Sequence, residues 1–191
     1  MSALLEFLLR NANNKRVMAM LRCGLVESTE IRAWPLLAHF NGIGNKPRSR
    51  AVRTVAGLFA THPNNCESGN MGTVCRQLCD SDEKPWESGE SGEGSAPGPM
   101  ERRFLYLLNA DSEEICERIC RLVRYAGSKD IPINYSALEE DLSRWPRARK
   151  DWATAFWAPG VPGGPVPGGP KGADGPDEAD GAASADEEVL P

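Results

Sequence analysis

The chain has 191 residues, enough for one compact domain or two small ones, and a net charge of −5 at neutral pH. It contains no apolar stretch long enough to span a membrane, and its first ten residues lack the charged start and cleavage site of a secretory signal. We therefore expect a cytoplasmic protein without a membrane segment. Its six cysteines are expected to be reduced thiols rather than a disulfide framework.

The overall charge conceals a strong separation of charges along the chain. Residues 160–191 hold seven acids and one lysine, and residues 80–94 hold six acids and one lysine. The remainder of the chain therefore has a net charge of +6. A folded body of this sign is compatible with nucleic acid as a partner and gives no reason to expect an acidic substrate in particular.

The N-terminal part of the chain shows helical apolar spacing. One interrupted helix or two short helices are predicted over Met1–Leu25, with a break at Asn11–Asn14, and Gly24 lies where the helical segment should end. Ser28 or Thr29 is expected to cap a third helix that reaches Phe40.

A longer helix is predicted next. Pro47 suits a first helical turn, and residues 48–60 place one apolar stripe on a helix face. A short helix over Met71–Cys79 follows it.

The C-terminal part predicts four more helices. Ser112 is expected to cap the second of them and Asn134 the third, while Trp152 and Phe156 anchor the fourth, after Pro146. The alternation of β-branched residues that strands require is absent. The predicted fold class is therefore all-α.

Composition divides the chain into four parts. We predict an N-terminal helical lobe (1–79), an acidic flexible loop (80–99), a C-terminal helical lobe (100–158) and a disordered, Pro/Gly-rich acidic tail (159–191). The predicted architecture is a helical bundle of two small lobes.

Arginines recur along the predicted helices. Arginine suits phosphate because its planar guanidinium donates two parallel hydrogen bonds and stays charged. The candidate nucleic-acid-binding residues are Arg22, Arg48, Arg50, Arg53, Arg102, Arg103, Arg121, Arg124, Arg147 and Arg149.

A second interpretation treats the same arginines as solvated helix faces. Glu114 and Glu117 can pair with Arg118 and Arg121 at helical spacing, and Arg144 can pair with the acids at 139–141. The protein would then be a helical protein–protein adaptor without direct nucleic-acid binding. The residue pattern leaves both interpretations open.

The cysteines form two i, i+4 pairs, Cys75/Cys79 and Cys116/Cys120. Four thiolates on neighbouring helices can bind zinc, but these thiols lie among aliphatic residues, where cysteine behaves as a small hydrophobe. We therefore expect no metal or other cofactor, with a zinc module as the alternative.

Residues for catalysis are few. The histidines are His39, expected at the edge of the core, and His62, and neither a GxSxG motif nor a Walker-type phosphate loop occurs. An enzyme is therefore not expected. The tryptophans at helical spacing (Trp34, Trp145, Trp152 and Trp157) are expected to pack in the core or at a subunit interface rather than to stack on bases.

Several segments, in order, resemble one known family. ERRFLYLLNAD and the block RLVRYAGSKDIPINYSALEEDLSRW are the strongest, supported by MLRCGL and KPRSRAVRTVAGLFATHP. Together they resemble the CasB family, the small subunit of the type I-E CRISPR Cascade complex, over about residues 15–157.

This resemblance implies a non-catalytic, elongated, all-helical protein present in two copies in Cascade. Its expected partners are the other Cascade subunits, a second copy of itself, the guide RNA and the target DNA, whose hybrid and displaced strand (the R-loop) it helps to hold. The basic positions that align with the family's nucleic-acid surface are Arg22, Arg48, Arg102, Arg103, Arg121, Arg147 and Arg149.

Overall fold

The structure is a computed structural model that describes residues 2–82 and 97–159. Within these ranges every regular element is a helix, and the one β pairing is an isolated bridge between Asn65 and Ile133. The predicted all-α class is confirmed. Most of the predicted acidic loop (83–96) and nearly all of the predicted tail (160–191) lie outside the described residues.

The described residues form nine α-helices, joined in places by 3₁₀ turns at Cys23–Leu25, Glu30–Arg32 and Ala38–Phe40. In chain order the α-helices are α1 (Ala3–Asn11), α2 (Lys15–Arg22), α3 (Trp34–Leu37), α4 (Pro47–Thr61), α5 (Met71–Asp82), α6 (Pro99–Leu108), α7 (Ile115–Ser128), α8 (Tyr135–Ser143) and α9 (Arg149–Trp157).

The break between the first two helices falls at the predicted asparagines. The Asn14 side chain accepts a hydrogen bond from the Val17 N–H at 3.2 Å and thereby caps α2. Gly24 lies in the 3₁₀ turn that follows α2.

The single helix predicted up to Phe40 is wrong. That segment contains two 3₁₀ turns separated by the four-residue α3. The Thr29 hydroxyl donates to the Cys23 carbonyl at 3.0 Å and caps no helix. Pro35 has no N–H with which to continue a helix from the preceding residues, so α3 begins beside it.

The central helix is α4, which begins at Pro47 as predicted. Residues 51–60 are all buried, so this helix is covered on every side rather than along the single predicted stripe. Its neighbours are α1, α2, α7 and α8.

Helices from the two predicted lobes pack directly on one another. From the N-terminal part, α4 lies against α8 and α5 lies against α9. The buried apolar side chains of both parts belong to one hydrophobic cluster. The two lobes therefore share a core, and α5 continues to Asp82, three residues beyond the predicted end of its helix.

Two cap predictions in the C-terminal part have different outcomes. The Asn134 side chain accepts from the Ala137 N–H at 3.0 Å, which confirms the cap of α8. The cap predicted at Ser112 is wrong, because its hydroxyl donates to the Trp145 carbonyl. The turn before α7 is capped instead by Asp111, whose Oδ1 accepts hydrogen bonds from the backbone N–H groups of residues 113 and 114.

A buried carboxylate joins α8 to α9. Asp141 is 8 % exposed, and its Oδ2 accepts a hydrogen bond from the Trp152 indole N–H at 2.6 Å. Burial raises the pKa of Asp141 to about 6, although the Trp152 hydrogen bond and the Arg144 guanidinium act in the opposite direction.

Asp141→Asn is expected to stabilise the protein at neutral pH. Because the folded pKa lies above the unfolded value, this group's contribution to stability is full below about pH 4 and is lost as the pH rises through about 6. Asparagine keeps the acceptor for Trp152 without the buried charge. The gain at pH 7 is expected to be on the order of 2 kcal/mol.

Thermal unfolding of both proteins between pH 4.5 and pH 7.5 tests this expectation. The advantage of Asp141→Asn should shrink steadily as the pH falls. An advantage that is constant across the range, or that is absent at pH 7.5, contradicts it.

Candidate nucleic-acid interface

A polar groove of about 820 Å³ runs between the 3₁₀ turn after α2, the N-terminal half of α4, and α7. We call it the α4–α7 groove. It brings together four of the ten candidate arginines, in two pairs about seventy positions apart in sequence: Arg50 and Arg53 on α4, and Arg121 and Arg124 on α7.

Two of these arginines are available to a ligand. Arg121 has a side chain that is 72 % exposed and lies 3.6 Å from the carboxylate of Glu117, itself 81 % exposed. Such solvated ion pairs are worth about 0–1 kcal/mol, so an incoming phosphate competes with Glu117 easily. Arg124 is exposed and has no carboxylate within salt-bridge distance among the described residues.

Arg50 and Arg149 both hold the loop between α6 and α7. Arg50 donates to the Ser112 carbonyl at 3.3 Å, and Arg149 donates to the Ala110 carbonyl at 3.1 Å. Arg50 also lies 3.6 Å from the carboxylate of Glu113. These two guanidiniums therefore position the start of α7 and have fewer donors left for a ligand.

Arg53 occupies a different environment from the other candidates. It is 6 % exposed, and its Nε lies 3.0 Å from the Glu30 carboxylate. Its Nη1 donates to the carbonyls of Gly42 at 2.9 Å and Gly44 at 2.6 Å. The side chain thus ties α4 to two loops, and we do not include it in the proposed interface.

Arg53→Met is expected to lower the free energy of unfolding by about 2 kcal/mol. The substitution removes the partner of Glu30 and leaves two loop carbonyls without a donor, while the partial exposure of Glu30 moderates the loss. Chemical denaturation measures this change. Arg48→Met, five residues earlier and exposed, is the control and should stay within about 0.5 kcal/mol of the original protein.

The remaining candidates lie near the ends of these elements. Arg48 is exposed in the first turn of α4 and makes no hydrogen bond or ion pair with any described residue. Arg22 is exposed at the end of α2, where its Nε donates to the Met18 carbonyl at 3.2 Å. Arg102 donates to the Pro97 carbonyl at 3.0 Å.

A second groove of about 400 Å³ lies between α6 and α7. We call it the α6–α7 groove. Arg103 lines it and lies over the Tyr125 ring at 5.2 Å, and Arg121 lines both grooves. The arginine surface is therefore continuous from α6 across α7 to α4, whereas Arg147, although exposed, lines neither groove.

Several residues that shape these surfaces were not predicted from the sequence. Tyr106 and Tyr125 line the α6–α7 groove, and Asn45 lines the α4–α7 groove. The available signal for Tyr106 was its position three residues after Arg103, which places both on one face of a helix.

The predicted pairs of Arg118 with Glu114, and of Arg144 with the acids near it, are confirmed.

The cysteines and histidines show no metal-binding arrangement in the described ranges, where no group of three or more His, Cys, Asp or Glu side chains is placed to hold an ion. None of the six cysteines forms a disulfide in the structure. Burial raises the pKa of Cys75 and raises that of Cys120 to about 11. His39 is exposed, so its predicted place at the edge of the core is wrong.

The tryptophans follow the packing prediction in part. Trp145 and Trp152 are buried with ring centroids 4.9 Å apart, Trp34 is half-buried, and Trp157 is exposed.

In the described part of the chain, no helix has the length and apolar character needed to cross a membrane.

Comparison with known families gives a direct result. The sequence model of the CRISPR-associated protein Cse2 family matches residues 9–157. The chain belongs to this family. Membership in the Cse2 family confirms the resemblance inferred from the sequence, and the matched range contains every candidate arginine.

Solved structures of Cse2 and CasB proteins share the fold. CasB from Thermus thermophilus aligns with a TM-score of 0.62 and 23 % identity, covering 82 % of this chain and 99 % of its own. CasB from M. ruber aligns with a TM-score of 0.61 and 24 % identity, covering 82 % and 94 %. A chain of a CRISPR RNA-guided surveillance complex aligns with a TM-score of 0.61 and 20 % identity, covering 81 % and 88 %. A comparison with curated proteins finds no match.

Proposed function

We propose that this chain is the small subunit of a type I-E Cascade complex and that it binds nucleic-acid backbone there. Membership in the Cse2 family and the similarity to a chain of an RNA-guided surveillance complex support this role. In the complex, the subunit stabilises the guide RNA–target DNA hybrid and the displaced strand of the R-loop. Its partners are the other Cascade subunits, a second copy of itself and both nucleic acids.

The observation that carries the proposal is the arginine surface on α7. Arg121 and Arg124 border the α4–α7 groove, and neither is held by a strong ion pair within the described residues. A phosphate that enters the groove gains charge-assisted hydrogen bonds, and at Arg121 it displaces the solvated carboxylate of Glu117. Such contacts position a nucleic acid without reading its bases, which suits a complex whose guide RNA supplies the sequence specificity.

The proposed role is non-catalytic. Among the described residues, four guanidiniums and four carboxylates line the groove, and the guanidiniums remain protonated and therefore donate hydrogen bonds rather than exchange protons. The expected contribution is binding energy for the R-loop and a strong dependence of that binding on salt.

A helical protein–protein adaptor remains the second candidate, and one observation favours it. Val26 and Ile31 are exposed large apolar residues, and they flank in sequence the groove residues Glu27 and Glu30. Ile31 has 65 % of its surface exposed. Exposed apolar side chains that form a contiguous patch are typical of surfaces that contact another protein.

Assembly with and without this chain tests the proposed function. The other Cascade subunits of its host and a guide RNA are expressed with a tag on another subunit, and binding of a target duplex is measured. We expect the chain to co-purify and its omission to weaken R-loop formation. A chain that co-purifies but leaves DNA affinity unchanged supports the adaptor, and a chain that neither joins the complex nor changes DNA affinity overturns the proposed function.

A further inference from the structure

The α6–α7 groove has an apolar floor and aromatic walls. Leu107 and Leu122 form the floor, and Tyr106 and Tyr125 line the sides. Tyr106 is 55 % exposed and is one of the large hydrophobic residues that lie on the surface. The groove therefore offers apolar surface to a ligand.

The rim of the same groove is positively charged. It contains Arg103, Arg118 and Arg121, and among the described residues no carboxylate lines it. Arg118 is already engaged, because it pairs with Glu114 at 2.6 Å and covers the Tyr106 ring at 4.0 Å. Arg103 and Arg121 are exposed and remain available. A fitting occupant combines apolar side chains with adjacent negative charges.

The chain itself contains such a segment beyond the described residues. After residue 160 its large apolar residues are Val161, Val166, Val189 and Leu190. The last two follow directly on three consecutive acids, so that residues 186–190 read DEEVL. Large apolar and acidic side chains are adjacent nowhere else after residue 160.

The described chain ends beside the helix that forms one wall of the groove. The Trp157 indole N–H donates to the Glu101 carboxylate of α6 at 2.8 Å, and its ring lies 5.4 Å from that of Phe104. Thirty residues separate Trp157 from Glu187, and a chain of that length spans at most about 100 Å. The groove on α6 is within this reach, and linkage of this kind gives an effective concentration on the order of millimolar.

We propose that residues 186–190 dock into the α6–α7 groove of their own chain. Val189 and Leu190 cover the apolar floor, and the preceding acids pair with Arg103 and Arg121. This interaction needs no other molecule, and it shares Arg121 with the proposed nucleic-acid surface.

Photo-crosslinking in the full-length chain tests the docking. The photo-reactive residue p-benzoylphenylalanine, which is itself apolar, replaces Leu190, and the products of irradiation are mapped by mass spectrometry. We expect intrachain cross-links concentrated within residues 103–107 and 118–125. The double reversal Glu187→Lys with Glu188→Lys should lower their yield about tenfold, the effect of losing two exposed ion pairs.

A matched control separates specific docking from general attraction. Asp177→Lys with Glu178→Lys makes the same change of charge ten residues earlier and should leave the yield of groove cross-links nearly unchanged. Cross-links scattered over the surface, cross-links mainly between two chains, or groove cross-links that survive the Glu187/Glu188 reversal each overturn the proposal. None of these readouts involves nucleic acid, so failure here leaves the proposed function untouched.

Discussion

Reversing two charges on α7, Arg121→Glu together with Arg124→Glu, is expected to weaken target-DNA binding by the assembled complex about 100-fold at low salt. Each arginine is exposed at the α4–α7 groove, and a charge-assisted hydrogen bond to phosphate is worth about 1.5–3 kcal/mol. Reversal removes both contacts and adds repulsion. The measurement is the affinity of the complete complex for a target duplex.

The salt dependence of that affinity identifies the mechanism. Loss of two phosphate contacts should reduce the slope of log affinity against log salt by about two units. The double variant Arg10→Glu with Arg16→Glu makes the same change of net charge at exposed positions outside both grooves. It should leave the slope nearly unaltered, which separates local contact from overall charge.

A third variant is expected to change the DNA affinity in the opposite direction. Glu117→Gln frees Arg121 from its carboxylate partner without adding a positive charge of its own. If phosphate and Glu117 compete for that guanidinium, the affinity rises about threefold, the value of a weak exposed ion pair. The adaptor interpretation instead requires that Arg121→Glu, Arg124→Glu and Glu117→Gln all leave DNA affinity unchanged.

Local signals in the sequence predicted much of the helical framework. Asn14 and Asn134 were expected at helix starts, and each side chain caps its helix. Pro47 was expected in a first turn and begins α4. These features depend on a few neighbouring residues, so the sequence contains all the information that they need.

The roles of individual arginines were not predictable in the same way. Arg50 and Arg53 are three residues apart on α4 and looked equivalent in sequence. Only the fold places Glu30 and the carbonyls of Gly42 and Gly44 around Arg53, while Arg50 meets the Ser112 carbonyl. Burial of a charge depends on such distant partners, which helical periodicity cannot reveal.

The contacts between the two predicted lobes could not be predicted from the sequence in the same way. The change in composition after α5 predicted a boundary between an N-terminal and a C-terminal lobe. In the structure, α5 lies against α9, the last helix of the described chain. Long-range contacts of this kind leave no signature in local composition.

Gly72 lies at the closest approach between α5 and α9. A Cβ added there would lie 2.0 Å from the carbonyl oxygen of Trp152 and 3.0 Å from the Cβ of Ala155. The first of these is a backbone atom of a fully buried residue, so it cannot turn away. The Asn70 side chain fixes the position of α5 further, since it accepts from the Gly72 N–H at 2.9 Å and donates to the Asp151 carbonyl at 3.3 Å.

Gly72→Ala is therefore expected to destabilise the protein by about 3 kcal/mol and to lower the melting temperature by about 10 °C. Alanine favours a helix over glycine by about 1 kcal/mol, so any loss of stability must come from forcing α5 and α9 apart. Gly24→Ala is the control, because a Cβ there would meet its nearest atom at an ordinary 3.4 Å. If the two variants have the same melting temperature, the close packing of α5 on α9 does not stabilise the contact between the N-terminal and C-terminal parts of the chain.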